Sequence, residues 1–371
     1  MTTQPVPMLD LAYQHRAVAD EVADGFARVL ENSSYVLGPE ATAFENAYAE
    51  YLGVSHVLGV ANGTDALVLA LRASGIGPGD EVIIPANTFV ATAEAVALVG
   101  AIPVLVDPGE DFLMAPDTLA AAITPRTRAV IPVHLYGQVA DVAAIREVVG
   151  SDLVIIEDAA QSQGAIRDGA YAGSLGDVAA TSFYPGKNLG AYGDAGGVST
   201  NSPGIADAVR ALRNHGGVER YQHDVVGTNS RLDGLQAVVL AAKLKRLDEW
   251  NAHRRVVADR YRALLADLPA VTLPLAGEPS AHVYHQFVIQ VDDRDRIFDE
   301  MAAAGIGVGI HYPKPIHLLG AFADSGLGGA GSFPRAEHQA ARILSLPVYP
   351  GLTEAMQDRV VDELRAALRE V

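Results

Sequence analysis

The chain has 371 residues, 49% of them hydrophobic and 19% charged, so it is long enough for a large buried core and too apolar to be disordered. A formal net charge of −18 excludes a basic face that coats nucleic acid, although a local pocket can still hold a small anion. The absence of cysteine excludes disulfides, thiolate catalysis and cysteine-bound metals.

The opening, MTTQPVPMLDLAYQHR, lacks the basic-then-apolar order of a leader peptide, and no apolar run reaches bilayer-spanning length. The expectation is a soluble cytoplasmic protein that binds neither membrane nor nucleic acid. From about residue 54 short β-rich runs alternate with helical spacing. HVLGV (56–60) precedes a helix over GTDALVLALRASG, EVIIP (81–85) precedes one over TFVATAEAVALVG, and IPVLV (102–106) follows. RAVIPV (128–133) precedes the helix DVAAIREVV, and DLVIIED (152–158) and DVAATSFY (177–184) complete the series. Buried strands separated by helices predict a mostly parallel α/β sheet. The alternation stops near residue 215. Residues 231–268 read as one long helix or two, followed by a strand in HVYHQFVIQV (282–291) and helices over RIFDEMAAAGIG and the tail from Glu354. The expected division is a large domain over 1–245, including the N-terminal segment, and a smaller α+β domain over 246–371.

Ligands of parallel sheets sit at the carboxyl ends of the strands, which selects three places. In VANGTDAL (60–67), Gly63 and Thr64 open a helix whose free N–H groups suit a phosphate, although taken alone the stretch reads better as an ordinary cap by Asn62 or Thr64. In LVIIEDAAQSQGA (153–165), Asp158 stands at a strand end with Gln161 three residues on, either as a site carboxylate or as a cap. In SFYPGKN (182–188), Ser182 ends a strand and the Pro185-Gly186 turn aims Lys187 back at the sheet edge. Of the 27 basic residues only Lys187, Lys243, Lys245 and Lys314 are lysines. A lysine retained where arginine has replaced nearly all others suggests chemistry arginine lacks, since a desolvated lysine amine can lose its proton and attack.

These groups meet the needs of pyridoxal 5′-phosphate (PLP). Lys187 offers an amine for a Schiff base with the aldehyde, and Asp158 an anion beside the pyridine nitrogen. Gly63, Thr64 and Ser182 offer a phosphate seat, and Phe89 an aromatic ring, for which core packing is the favoured reading on sequence alone. With VPMLDL, NGTDALVLAL, GDEVIIPANTF, EDAAQSQGA, SFYPGKNLGAYGDAG, NSRLDGLQAVVLAAKL and HYPKPIHLL added, the chain resembles the nucleotide-sugar aminotransferases nearly end to end. The resemblance implies the fold type I PLP-dependent architecture, with a mostly parallel seven-stranded sheet between helices. It implies that Lys187 bonds the cofactor and shuttles the proton, that Asp158 pairs with the pyridinium, and that Gln161 sits by the phenolic oxygen. Asn229 would reach the phosphate of a neighbouring subunit's cofactor, making a homodimer with shared sites, and Arg231 would meet the substrate diphosphate. Tyr35, Tyr184, His311, Tyr312 and His317 are candidates for the sugar-nucleotide pocket, with a satisfied imidazole the other reading of each histidine. The implied partners are a nucleotide-linked keto-deoxysugar aminated at C3 or C4 and L-glutamate, which leaves as 2-oxoglutarate. Related sugar dehydratases carry histidine in place of the lysine, so Lys187 argues against dehydration. Leu318-Leu319 stands where relatives often carry glutamine, which leaves the substrate pocket open.

Other readings fare worse. GLGGAG (326–331) matches a dinucleotide fingerprint but follows no strand, and reads as a loop that could cover the pocket. There is no H-E-x-x-H helix, acidic ligand cluster or G-x-S-x-G elbow, so no metal is expected. A non-catalytic PLP-fold sensor would be expected to lose Lys187 or Asp158, and a PLP lyase would differ in consuming no amino donor.

Overall fold

A computed structural model describes residues 5–219, 221–275 and 281–369. The first four residues of the opening stretch and the last two of the tail helix lie outside them. Two helices that the sequence reading left unassigned come first, α1 (Leu11–Asn32) and α2 (Gly38–Leu52). The side chain of Asp10 caps α1 by accepting from the Tyr13 N–H at 3.0 Å. The αβ series then runs β1 (His56–Val60), α3 (Gly63–Ala73), β2 (Glu81–Pro85), α4 (Val90–Leu98), β3 (Ile102–Val106), α5 (Pro116–Ala122), β4 (Thr127–Val130), α6 (Val142–Val149) and β5 (Val154–Asp158). A small hairpin of β6 (Ile166–Arg167) and β7 (Ala170–Tyr171) leads to β8 (Val178–Ser182), β9 (Gly196–Thr200) and α7 (Pro203–Leu212).

Seven strands form one sheet in the order β1-β9-β8-β5-β4-β2-β3. All neighbours are parallel except β9, which runs antiparallel to both β1 and β8. Strand β9 was missed because its sequence, GGVST, has no β-rich apolar run. Its glycines are needed for space: a Cβ on Gly196 would lie 2.3 Å from the Asn62 carbonyl oxygen, at the mouth of α3. Alternation along each strand feeds opposite faces. Ile84 and Ile156 join Leu67 and Leu71 of α3 in one core cluster, while their neighbours Ile83 and Ile155 join Leu119 of α5 and Ile145 of α6 in another.

The helical stretch read over 231–268 is two helices, α8 (Gly234–Leu244) and α9 (Leu247–Leu265). The first packs on α1 and α2 and the second on the tail helix. Beyond them, β10 (Val271–Thr272), β11 (Phe287–Val291), α10 (Arg294–Ala303), α11 (Pro334–Arg342), β12 (Ile343–Leu346) and α12 (Glu354–Arg369) build a smaller body around an antiparallel sheet β10-β11-β12. Tyr261, Phe287, Ile289, Leu344, Val361 and Leu364 fill its core. Val6 belongs to that core and bridges to Ile306, so the chain start lies against the second body while α1 lies against α8. The strand read over 282–291 is ordered as β only from Phe287, because residues 282–283 pair with the loop after β4 instead. No described helix is long and apolar enough to cross a membrane.

Candidate active site

The carboxyl ends of β1, β2, β5 and β8 point to one edge of the sheet, and a cavity of ≈ 600 Å³ opens there. Its walls include Gly63, Thr64, Phe89, Asp158, Gln161, Ser182, Tyr184, Lys187 and Tyr312, nine of the fourteen residues proposed from sequence. At the end of β1, the Asn62 side chain accepts from the Asp65 N–H at 2.8 Å and caps α3. The N–H groups of Gly63 and Thr64 therefore start the helix beside Ser182. A Cβ on Gly63 would come within 2.6 Å of the Ser182 Cβ, so only glycine lets α3 and β8 approach this closely.

Asp158 and Glu157 stand side by side but face opposite ways, as strand alternation requires. Glu157 turns from the cavity and is fully engaged by His134 Nε2 at 2.8 Å and by the N–H groups of Gly173, Leu175 and Gly176. Asp158 faces the cavity. Its Oδ2 accepts from Thr92 Oγ1 at 2.8 Å and its Oδ1 from the Ala160 N–H at 3.2 Å. Thr92 is in turn joined to Thr88 at 2.8 Å. Burial pushes the Asp158 carboxyl up, and these two hydrogen bonds, then Lys187 and His134, oppose the shift. Burial pulls the Lys187 amine down to about 8, and Asp158 holds it from falling further. An amine poised near neutrality and a fixed carboxylate share one cavity, the arrangement expected where a proton must move.

Gln161 Oε1 accepts from the Tyr136 N–H at 2.6 Å, and its Nε2 donates to the Tyr312 hydroxyl at 3.1 Å. The rings of Phe89 and Tyr312 lie 5.0 Å apart at the rim. Phe89 is half exposed, so its reading as a core residue is not met. The residues at hand fit PLP: a cavity of suitable size, an amine, a carboxylate, a helix start for phosphate, and an exposed ring.

The sequence pattern of the DegT/DnrJ/EryC1/StrS aminotransferase family matches residues 17–365. The chain is 46% identical to a Streptomyces venezuelae protein, dTDP-3-amino-3,4,6-trideoxy-alpha-D-glucose transaminase, over 98% of this chain and 96% of that one. It is also 46% identical to the UDP-N-acetyl-3-dehydro-alpha-D-glucosamine 3-aminotransferase of Acidithiobacillus ferrooxidans, over 98% of each chain. Among solved structures, S. venezuelae DesV in complex with a ketimine intermediate superposes with a TM-score of 0.96 at 46% identity, covering 100% of both chains. The chain belongs to the DegT/DnrJ/EryC1/StrS aminotransferase family. It is a PLP-dependent aminotransferase with the fold the resemblance implied.

The other five proposed residues of this aminotransferase do not line this cavity. Asn229 and Arg231 line a second cavity of ≈ 390 Å³, which shares only Asp194 with the first. The Tyr35 side chain is exposed and its carbonyl accepts from the Gly234 N–H, so it is not brought to the cavity. His317 is buried away from the cavity, bonded through Nε2 to Glu337 Oε1 at 3.0 Å and packed edge-on against Phe333, while its Nδ1 has no hydrogen-bond partner. His311 is fixed by Ser345 Oγ at 2.8 Å beside Lys187, and burial with that neighbouring amine lowers it to about 4. The GLGGAG loop follows a 3₁₀ turn at Gly320–Phe322, not a strand.

Sequence reasoning missed Thr88, Leu135 and Asp194 in the wall, Thr92 bonded to Asp158, and His285, which burial and then the Lys187 amine lower well below the ordinary imidazole value. The spacing of Thr88 and Thr92, one helical turn apart at the start of α4, was the available signal.

Proposed function

We propose that this aminotransferase places an amino group on C3 of a keto-deoxysugar carried on dTDP or a related nucleoside diphosphate, taking it from L-glutamate and releasing 2-oxoglutarate. The observation that carries the reading is the Lys187 amine, lowered to about 8, in one cavity with the buried Asp158. The printed names of two relatives at 46% identity support position 3.

PLP, when bound, supplies an electron sink that stabilises negative charge on the substrate carbon. Lys187 Nζ would hold PLP through its aldehyde and, as a free amine, would take and return the proton at the substrate carbon. Asp158, held at both oxygens by Thr92 and Ala160, would keep a proton on the pyridine nitrogen. The N–H groups of Gly63 and Thr64, with the Ser182 hydroxyl, hold the phosphate. Phe89 would cover the ring face, and Gln161, oriented by Tyr136 and Tyr312, would sit beside the phenolic oxygen. Tyr184 and Tyr312 border the space left for the sugar, with His311 beside Lys187.

Asn229 and Arg231 act in this reading across a homodimer, Asn229 at the phosphate of a second copy's cofactor and Arg231 at the substrate diphosphate. Two observations support it. Their cavity is separate from that of their own Lys187, and the neighbouring segment exposes Val218, Val225 and Val226, an apolar surface suited to burial by a second copy. The division between the PLP-binding body and the smaller one falls in this reading between Lys245 and Arg246.

The test of substrate is a panel of 3-keto and 4-keto nucleotide sugars incubated with glutamate, the product read by NMR. A 3-amino sugar formed one-for-one with 2-oxoglutarate is expected. A 4-amino product would move the regiochemistry, and no product from any sugar would contradict the function.

The Lys187 amine also predicts a pH dependence. Burial disfavours the ammonium, and only the neutral amine attacks an aldehyde. Capture of PLP by cofactor-stripped protein should rise about tenfold per pH unit and level off above about 8. A midpoint near the ordinary lysine value of 10.5 would show that the amine is not desolvated.

A further inference from the structure

Two of the four lysines are buried or half-buried, Lys187 and Lys243, and both meet the same turn. Lys245 lies on the surface, where it pairs with Glu21, and Lys314 is exposed. Lys243 is only 2% exposed on the inner face of α8. Its Nζ donates to the Gly190 carbonyl at 2.6 Å and stands 4.8 Å from the centre of the Tyr192 ring. Two helical turns earlier on α8, Gln236 Oε1 accepts from the Tyr192 N–H at 2.8 Å. Helix α8 thus grips the segment 190–192 at both ends. The Tyr192 hydroxyl is bonded in turn to His15 Nδ1 of α1 at 2.7 Å.

The gripped segment closes the Lys187 turn. The Ala191 N–H donates to the Phe183 carbonyl and the Lys187 N–H to the Tyr184 carbonyl, both at 2.8 Å. Gly190 is pressed onto the start of the same turn, where a Cβ would lie 2.4 Å from the Pro185 carbonyl oxygen and 2.8 Å from that of Tyr184. A shift of Gly190 therefore moves the backbone that carries Lys187.

We propose that Lys243 is a positioning residue for the amine that bonds the cofactor, acting by holding the Gly190 carbonyl so that the Lys187 turn presents its side chain at the cavity floor. This rests on the reading that Lys187 is that amine. The location explains why arginine has not replaced this lysine. One carbonyl and one ring face satisfy an ammonium, whereas a guanidinium would bring five N–H donors to a buried place that offers a single acceptor. A loosened turn would let water reach Lys187 and so relieve the burial that lowers it. The other charged or titratable groups that face Lys187, namely Asp158, His285 and His311, would be unchanged.

The test uses Lys243→Met and Lys243→Arg in the full-length enzyme. Both half-reactions should slow by roughly tenfold in kcat, with KM for glutamate and sugar unchanged, because a displaced group near the reacting atoms costs rate rather than affinity. The midpoint for PLP capture at Lys187, located by borohydride reduction and peptide mapping, should move up from about 8 towards 10.5. A lower Tm with native kcat and native midpoint would show a merely structural role and overturn the proposal. Should neither variant fold, Lys243→Gln, a shorter neutral donor, carries the same test: lowered kcat with a raised midpoint supports it, and native values of both overturn it. Failure of Lys187→Ala to abolish turnover would instead refute the reading beneath it.

Discussion

Replacing Lys187 by alanine will lower kcat by about 10³-fold or more, while the protein still folds and still takes up PLP. The expectation follows from what the side chain does and does not do in the structure. The described hydrogen bonds of Lys187 are made by its backbone, whose N–H closes the turn on Tyr184, so truncation leaves the turn intact. The phosphate seat at Gly63, Thr64 and Ser182 is untouched, and so is the Asp158 carboxylate. Only the amine is lost, and with it both the covalent attachment and the group that moves the proton. Lys187→Arg should be as inactive, because a guanidinium retains its proton throughout the accessible pH range. Stopped-flow measurement of each half-reaction decides the matter. Turnover within tenfold of the native enzyme in the alanine variant would remove Lys187 from its role.

Asp158→Asn should lower the rate of both half-reactions by roughly 10²–10³-fold, the cost of deleting a fixed charge where charge develops. Asparagine has nearly the same shape and can still accept from Thr92, so the cavity should keep its form. The loss is electrostatic: a neutral amide cannot hold a proton on a pyridine nitrogen. The same change has a second, independent sign. The Asp158 carboxylate favours the protonated Lys187, so its removal should lower the amine further and shift the midpoint of PLP capture below about 8. An unchanged rate would exclude the pairing with the cofactor nitrogen. A midpoint moving upwards would mean that burial changed more than charge did.

Much of this site could be read in the sequence because its parts sit at strand ends, where a local pattern marks them. β-rich runs stop at Val60, Asp158 and Ser182, and the residues just beyond each line the cavity. Strand alternation fixes that Asp158 and Glu157 face opposite sides, and Asp158, the last residue of its strand, is the one that lines the cavity. Strand β9 escaped notice because two glycines open it and its close packing on Asn62 leaves room for nothing larger. Thr92 holds Asp158 from 66 positions away, and no local periodicity records such a bond. The histidines show the opposite error. His311 and His317 look alike in HYPKPIH, yet the folded chain sets one beside Lys187 and the other against Glu337. Asn229 and Arg231 entered only through the family resemblance, whereas their place in a cavity other than that of their own Lys187 is a property of the folded chain alone.

The central claim is that one amine at the sheet edge carries the cofactor. The most direct measurement is borohydride reduction of the purified PLP-loaded protein, followed by digestion and mass spectrometry. The pyridoxyl group should appear on the peptide containing Lys187 and be absent from those containing Lys243, Lys245 and Lys314. Its appearance on any of those three instead, or on no peptide at all, would contradict the account.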